Sequence, residues 1–239
     1  MRICITNDDG IFSEGLQRLV QWAAKLGEVC VYAPKVEQSA KSHAVEIHKA
    51  FEAKPVQVPG AAKAWAVDST PADCIRFAIL GQHEQFDLVI SGINRGLNIG
   101  QDIIYSGTVS AAMEAVGLGV NALALSTEPQ TFDDAIAQLD RIWAFLTGNG
   151  CYDKCRLWNV NIPLGTTGEL HVTRQGGPYY SDDFQPQEND MYLPQGKDIF
   201  SPTEGSHFDT DCTLRLRHIS LSPLTIDRTD WRTFSQFVK

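Results

Sequence analysis

The feature that most constrains this chain lies in its first ten residues, where Ile3-Cys4-Ile5-Thr6 runs straight into Asn7-Asp8-Asp9-Gly10. The first four are mostly apolar and partly β-branched, the pattern of a strand buried on both faces. Ser13 then leads into Leu16, Leu19, Val20 and Ala23, whose i, i+3, i+4, i+7 spacing predicts an amphipathic helix. Glu28 to Ala33 reads as a second buried strand, ended by Pro34. Residues 1–33 are therefore expected to form a βαβ unit with a parallel pair and a right-handed crossover. Open α/β sheets bind ligands outside the carboxyl ends of their strands, and Asp8 and Asp9 stand at such an end. On a regular strand they would point to opposite faces; in a turn that Gly10 permits, both can converge on one point. Converging carboxylates repel and call for a cation, and oxygen donors suit a hard one such as Mg2+ or Mn2+. The same residues read equally well as a turn whose side chains bond only their own backbone.

A length of 239 residues with 43% apolar side chains is enough for a sizeable core, in one domain or one domain with an appendage. The net charge of -9 argues against a grip on a nucleic-acid duplex, which needs a basic face. It also means that an anionic small substrate is repelled at long range unless a cation recharges the site. The opening apolar run is too short for a signal peptide or membrane span. The six cysteines are scattered without paired metal-site spacing, which points to free thiols in a reducing cytoplasm.

Beyond the first unit, the polar loop Lys35 to His43 carries Ser39, Lys41, Ser42 and His43 beside the same carboxyl-end edge. Short alternating pieces at Val45–Ile47, Val56–Val58 and Trp65–Val67 predict a hairpin and a return strand. Thr70-Pro71-Ala72-Asp73 is a helix start, with Thr70 as cap and Pro71 in the first turn; the helix is expected to reach about Leu80. Asp87 to Ser91 is another buried strand, followed by the glycine-rich Ser91-Gly92-Ile93-Asn94-Arg95-Gly96-Leu97-Asn98-Ile99-Gly100. Ser106-Gly107-Thr108 then opens a helix through Val109, Ala112, Met113 and Val116. A capped helix start behind a glycine-rich loop is an anion site, since free backbone N–H groups point at its occupant. No Gly-Lys-Ser/Thr follows at Walker spacing, and the first turn carries acids where a dinucleotide fingerprint needs glycines. Strands are expected at 121–126, 157–162 and 170–173, with a helix after Thr131 ended by Gly148. The stretch Gln175 to His207 has little periodicity and reads as a projecting arm or lid. Thr213 to Leu221 alternates like a strand, and Trp231, Phe234 and Val238 predict a closing helix.

Taken together, Thr6-Asn7-Asp8-Asp9-Gly10, Ala33-Pro34 with Gln38-Ser39, Thr70-Pro71-Ala72-Asp73-Cys74, Ser91-Gly92-Ile93-Asn94-Arg95-Gly96 with Asn98 and Gly100, and Tyr105-Ser106-Gly107-Thr108-Val109 closely resemble the stationary-phase survival protein SurE family. The resemblance is dense over residues 1–126 and patchy beyond. It implies an α/β fold: a Rossmann-like three-layer core with a mostly parallel sheet over residues 1–174. A carboxyl-terminal extension, 175–239, would carry the arm, a strand and a closing helix used in homodimers or homotetramers. It implies one divalent cation per subunit, Mg2+ or Mn2+, held by Asp8, Asp9, Ser39 and Asn94. Asn98 and the Ser106-Gly107-Thr108 helix start would line the phosphate pocket. Two departures are Ser69 and Ala115, where the family usually has glycine. A third is Pro186 to Glu204, which lacks the usual tryptophan-containing arm sequence.

The expected activity is divalent-metal-dependent hydrolysis of nucleoside monophosphates, a cytoplasmic 5'-nucleotidase acting also on 3'-phosphates in some cases, with Asp8 and Asp9 catalytic. His43 is the weaker choice for a proton-transfer role. Two rivals stand beside this reading. An aspartyl-nucleophile phosphatase normally has its acids two apart, and here they are adjacent. A non-catalytic nucleotide-binding or sensor module with a structural ion is the other.

Overall fold

The computed structural model describes residues 1–203 and 207–238. Its centre is a nine-stranded sheet. In chain order the strands are β1 (Arg2–Thr6), β2 (Glu28–Pro34), β3 (Ala53–Val56), β4 (Lys63–Val67), β5 (Leu88–Arg95), β6 (Asn121–Thr127), β7 (Leu157–Ile162), β8 (Leu170–Val172) and, after a separate hairpin, β11 (Ile219–Leu224). Their spatial order is β3-β4-β2-β1-β5-β6-β7-β11-β8. From β4 to β7 every neighbouring pair is parallel. Antiparallel neighbours occur only toward the edges, β3 on β4 and β11 on β7.

Helices cover both faces: α1 (Glu14–Ala23) and α4 (Asp133–Gly148) one, α2 (Pro71–Arg76) and α3 (Gly107–Gly117) the other. The short α5 (Cys151–Lys154) follows α4. Strand alternation sorts the core into these layers. Ile3, Ile5, Val29, Val31, Ile90, Leu123 and Leu125 pack toward α1 and α4. Cys4, Cys30, Val89, Ala122 and Ala124 pack toward α2 and α3. The second set is smaller, and α3 answers with Ala111, Ala112 and Ala115, so that this helix lies close on the sheet. Each large aliphatic side chain buried in these layers contributes roughly 1.5–3 kcal/mol.

The sequence expectations for β1, β2, β6, β7, β8, α1 and α4 hold within a residue or two at their ends. Thr70 caps α2 as expected, accepting from the Asp73 amide at 3.1 Å, and the helix continues as a wider π-turn over Phe77–Gly81. Three expectations fail, the first being Val56–Val58, which is in a strand only at Val56, where β3 ends. Val45–Ile47 forms no strand: β3 and β4 make the hairpin on their own, and 45–47 stays in an exposed loop with no strand to pair with. Thr213 to Arg217 is not extended. Asp211–Arg215 makes a π-helical turn held by the Thr213 hydroxyl on the Asp209 carbonyl, and the strand begins at Ile219. Polar and apolar residues over so short a span alternate by chance as well as by pleating, and the local hydrogen bond decided this one.

The stretch from Gln175 is a projecting arm, an antiparallel hairpin of β9 (Tyr180–Pro186) and β10 (Tyr192–Asp198). Its end, Glu204 to Ser206, lies outside the described residues. The closing helix α6 (Trp231–Phe237) starts on an Asp230 cap and has no buried residue. All six cysteines are free thiols.

Candidate active site

The strand order reverses direction between β1 and β5, because the chain runs from β1 outward through β2 to β4 and returns to build β5 to β7 on the other side. The crevice outside the carboxyl ends of these two strands is the topological switch point where such sheets bind ligands. Asp8 and Asp9 follow β1 into it, and Asn94 and Arg95 end β5 beside it.

Asn7 closes the turn after β1. Its side-chain amide donates to the Gly10 carbonyl (3.1 Å) and to Ser13 Oγ (2.7 Å), and its Oδ1 accepts from the Gly10 amide (3.2 Å). Gly10 has φ +100°, a left-handed conformation suited to glycine. The turn's own bonds run mainly through Asn7, with the Ser13 amide on the Gly10 carbonyl at 3.0 Å beside them. Asp8 and Asp9 reach away from it, to elements far along the chain.

Asp8 is 5% exposed. Its Oδ1 accepts from the Thr108 hydroxyl at 2.5 Å and its Oδ2 from the Thr108 amide at 3.2 Å. Asp9 Oδ2 accepts from the Arg95 amide at 3.2 Å. A Cβ placed on Gly107 would lie 2.9 Å from Asp8 Cβ, 3.0 Å from Asp8 Oδ2 and 3.1 Å from Pro71 Cγ. The acid pair and the N-terminus of α3 therefore meet at one place, which a side chain at position 107 would fill. Ser106 caps that helix, its Oγ accepting from the Val109 amide at 3.0 Å.

Electrostatics mark the same spot. Burial pushes the Asp8 carboxyl above its ordinary range, opposed by the two Thr108 donors. Asp9 is pushed up to about 6, first by burial and then by the charge of Asp8. Glu37 adds repulsion to both. Among the described residues no Lys or Arg side chain pairs with either acid: the Arg95 guanidinium lies over the Phe132 ring and 3.8 Å from Glu14. Two carboxylates with a third nearby, and no basic influence beyond the Arg95 charge that acts least on Asp9, fit a hard divalent cation by charge and donor chemistry.

The remaining expected residues are placed as follows. Ser39 is on the loop that Gln38 ties to the site, the Gln38 amide donating to the Asp8 carbonyl at 2.7 Å, but its own hydroxyl is turned onto Glu37 Oε1 at 2.6 Å. Asn94 sits just past an irregularity in β5 between Ser91 and Asn94 that re-aims the strand end, and its amide bonds the Gly96 carbonyl at 2.8 Å. Asn98 is buried and fixed from four directions: Ser126 Oγ on its side chain, Asn161 Oδ1 on its backbone N–H, and the Asn159 and Asn161 amides on its carbonyl. His43 bonds Glu114 Oε2 at 2.8 Å while Arg76 takes Oε1 at 2.9 Å. These two bonds hold Glu114 below the usual carboxylate range and pin the Ser39 loop to α3.

Four contributors were missed in the sequence. Glu37 carries no signal beyond its address. Asn159 and Asn161 do: two asparagines two apart on a buried strand need dedicated partners. Asp209, fully buried and far along the chain, takes the Gly100 and Gly176 amides and so anchors the end of the glycine-rich loop.

Comparison with known proteins agrees with this frame. The family model "Survival protein SurE" matches residues 3–182. The chain is 42% identical to a 5'-nucleotidase SurE of Myxococcus xanthus, over 96% of this chain and 89% of the relative. It is 38% identical to one of Desulforudis audaxviator, over 100% and 97% respectively. The crystal structure of a SurE protein from Aquifex aeolicus superposes with a TM-score of 0.82 at 28% identity, covering 99% of this chain and 98% of that one. With the acid pair and the capped helix brought together on that shared fold, the chain belongs to the SurE survival-protein family.

Proposed function

We propose that this protein is a 5'-nucleotidase that hydrolyses nucleoside monophosphates to nucleoside and phosphate with a divalent cation, Mg2+ or Mn2+, and that Asp8, Asp9, Ser39 and Asn94 hold that ion. What carries the reading is the contact between Asp8 and the start of α3: a cation-seeking carboxylate and an anion-seeking helix N-terminus share one crevice. The nucleotidase relatives support the class of substrate. A cation bound by this donor set supplies charge neutralisation at the phosphoryl group and a lowered pKa for water.

The chain's own groups do the rest. Ser106, Gly107 and Thr108 present the α3 N-terminus to the phosphoryl oxygens, stabilising the charge that builds during in-line attack. Asn98, held rigidly by Ser126, Asn159 and Asn161, orients the phosphate. Asp9, the more exposed of the pair, orients the attacking water and accepts its proton. Asp209 fixes Gly100, and with it the far end of the loop.

Within residues 175–239 the arm and α6 serve oligomerisation, since α6 buries nothing and the arm exposes Tyr180, Phe184, Met191 and Tyr192. No helix of the described residues is long and apolar enough to cross a membrane. Six free thiols favour the cytoplasm.

The test is a phosphate-release panel over 5'- and 3'-mononucleotides and simple phosphomonoesters, with Mn2+, Mg2+ or chelator. Metal-dependent release from 5'-mononucleotides is expected. Full activity in chelator would remove the metal assignment, and no release from any nucleotide would remove the nucleotidase reading.

A further inference from the structure

Away from the acid pair, one other set of ligating side chains comes together among the described residues, at the outer edge of the sheet. Glu169 directly precedes β8 and His171 lies within it. The parallel register pairs Leu170 with Ile219, which brings His218 alongside Glu169, and the Ile219 amide donates to the Glu169 carbonyl at 2.8 Å. Residues two apart on a strand share a face, so all three side chains project together. His171 Nε2 is 3.4 Å and His218 Nε2 is 3.8 Å from the same carboxylate oxygen, Glu169 Oε2. The two imidazoles stack with centroids 4.6 Å apart and planes 14° from parallel. One ligand atom from each residue lies within 4.8 Å of the others. An open cleft of about 620 Å3, walled by Arg141, Ala144 and Phe145 of α4, adjoins Glu169 and His171.

We propose that Glu169, His171 and His218 form a second metal site, separate from the Asp8–Asp9 pair, which binds Zn2+ through two imidazole nitrogens and one carboxylate oxygen. Ligand chemistry separates the two sites. Imidazole favours borderline ions such as Zn2+, whereas the all-oxygen pair favours hard ones. Zn–N and Zn–O bonds of about 2.0–2.1 Å put tetrahedral ligand atoms about 3.4 Å apart. The His171–Glu169 spacing of 3.4 Å already meets that and the His218 spacing of 3.8 Å needs a shift of a few tenths of an ångström, while the stacked rings must turn so that both Nε2 lone pairs, which lie in the ring planes, meet at the ion. β11 and β8 stand three and four strands from β5, roughly 14–19 Å across the sheet at the usual strand spacing. One property limits the affinity. His218 Nδ1 is buried without a hydrogen-bond partner, so ligation through Nε2 leaves an unpaired N–H behind it. Losing that outer partner costs roughly ten- to a hundredfold in affinity, which makes the ion exchangeable. Bound, it ties the short edge strand β8 to β11.

The experiment is equilibrium dialysis of Zn2+ against the full chain with Mg2+ in large excess, on wild type and on Asp8→Asn/Asp9→Asn. One saturable equivalent of Zn2+ is expected in both, with a visible Co2+ d–d spectrum on substitution. His171→Ala, at an exposed position, is expected to weaken that binding at least tenfold and to abolish the Co2+ spectrum while leaving Mg2+-supported phosphate release unchanged. Glu169→Gln is expected to weaken it less. Absence of saturable Zn2+ binding with Mg2+ in excess, or binding that His171→Ala leaves intact, would overturn the proposal. His218 is mostly buried, so the test does not depend on replacing it.

Discussion

Thr108 donates to both oxygens of Asp8, through its hydroxyl to Oδ1 and its amide to Oδ2, across one hundred residues of chain. This contact makes the end of β1 and the start of α3 a single unit. A hydrogen bond to a charged group is worth about 1.5–3 kcal/mol. Thr108→Val, which keeps the shape and removes the hydroxyl, is therefore expected to destabilise the metal-free protein by about that amount at neutral pH. Thr108→Ser is expected to recover most of it. Urea unfolding of the three proteins in chelator checks this; equal midpoints for wild type and Thr108→Val would mean that the hydroxyl contributes nothing.

Asp8→Asn and Asp9→Asn each remove one charge from a pair that burial and mutual repulsion disfavour. Without metal, stability is expected to hold or rise, by on the order of 1 kcal/mol for the partly exposed Asp9. Turnover is expected to fall by about two orders of magnitude or more, since charge neutralisation and water activation both depend on the site. Thermal unfolding with and without Mn2+, paired with phosphate-release rates, reads both effects. A turn with only a structural role predicts the reverse: lost stability and no metal dependence.

From sequence, a side chain at position 107 is expected to obstruct phosphate. In the structure its first obstacle is Asp8 itself. Gly107→Ala is therefore expected to weaken metal and phosphate binding together and to cost about 1–3 kcal/mol from overpacking. Isothermal titration with Mn2+ and then with inorganic phosphate separates the two. Loss of phosphate affinity alone would place the methyl group away from Asp8.

Asp209 is pushed up to about 6, burial outweighing the Gly176, Gly100 and Thr210 amide bonds. In the unfolded chain it titrates near 3.8. Between those values the folded state holds a proton that the unfolded state has lost, so this group's contribution falls as pH rises from about 4 to 6 and stays low above. The amplitude is about 3 kcal/mol. Asp209→Asn keeps an acceptor for the amides and is expected to flatten this part of the stability–pH curve. Denaturant unfolding from pH 4 to 7, in chelator, checks it; superimposable curves would show that the carboxyl is not perturbed.

The arm and α6 expose Phe184 (62%), Tyr192 (64%), Trp231 (58%) and Phe237 (83%), more aromatic surface than a soluble monomer leaves uncovered. At least a dimer is expected by light scattering at micromolar concentration, and deletion of residues 180–198 is expected to reduce the oligomer. A wild-type monomer at that concentration would contradict the assignment of 175–239 to assembly.

The amino-acid sequence by itself determined what depends on neighbours along the chain. Buried runs such as Ile3–Thr6 and Val29–Ala33 became the central parallel strands, and Thr70 and Ser106 capped their helices as their spacing implied, because these signals act within a few residues. The acids at the tip of β1 were visible for the same reason. Tertiary structure decided what has no local code. It left Val45–Ile47 as loop for want of a partner strand. It set Glu37 against the acid pair. It joined Thr108 to Asp8, Asp209 to Gly100, and His171 to His218. Each of these pairs is separated by dozens of residues, and only the packing of the finished sheet and its helices brings such groups within hydrogen-bonding or ring-stacking reach.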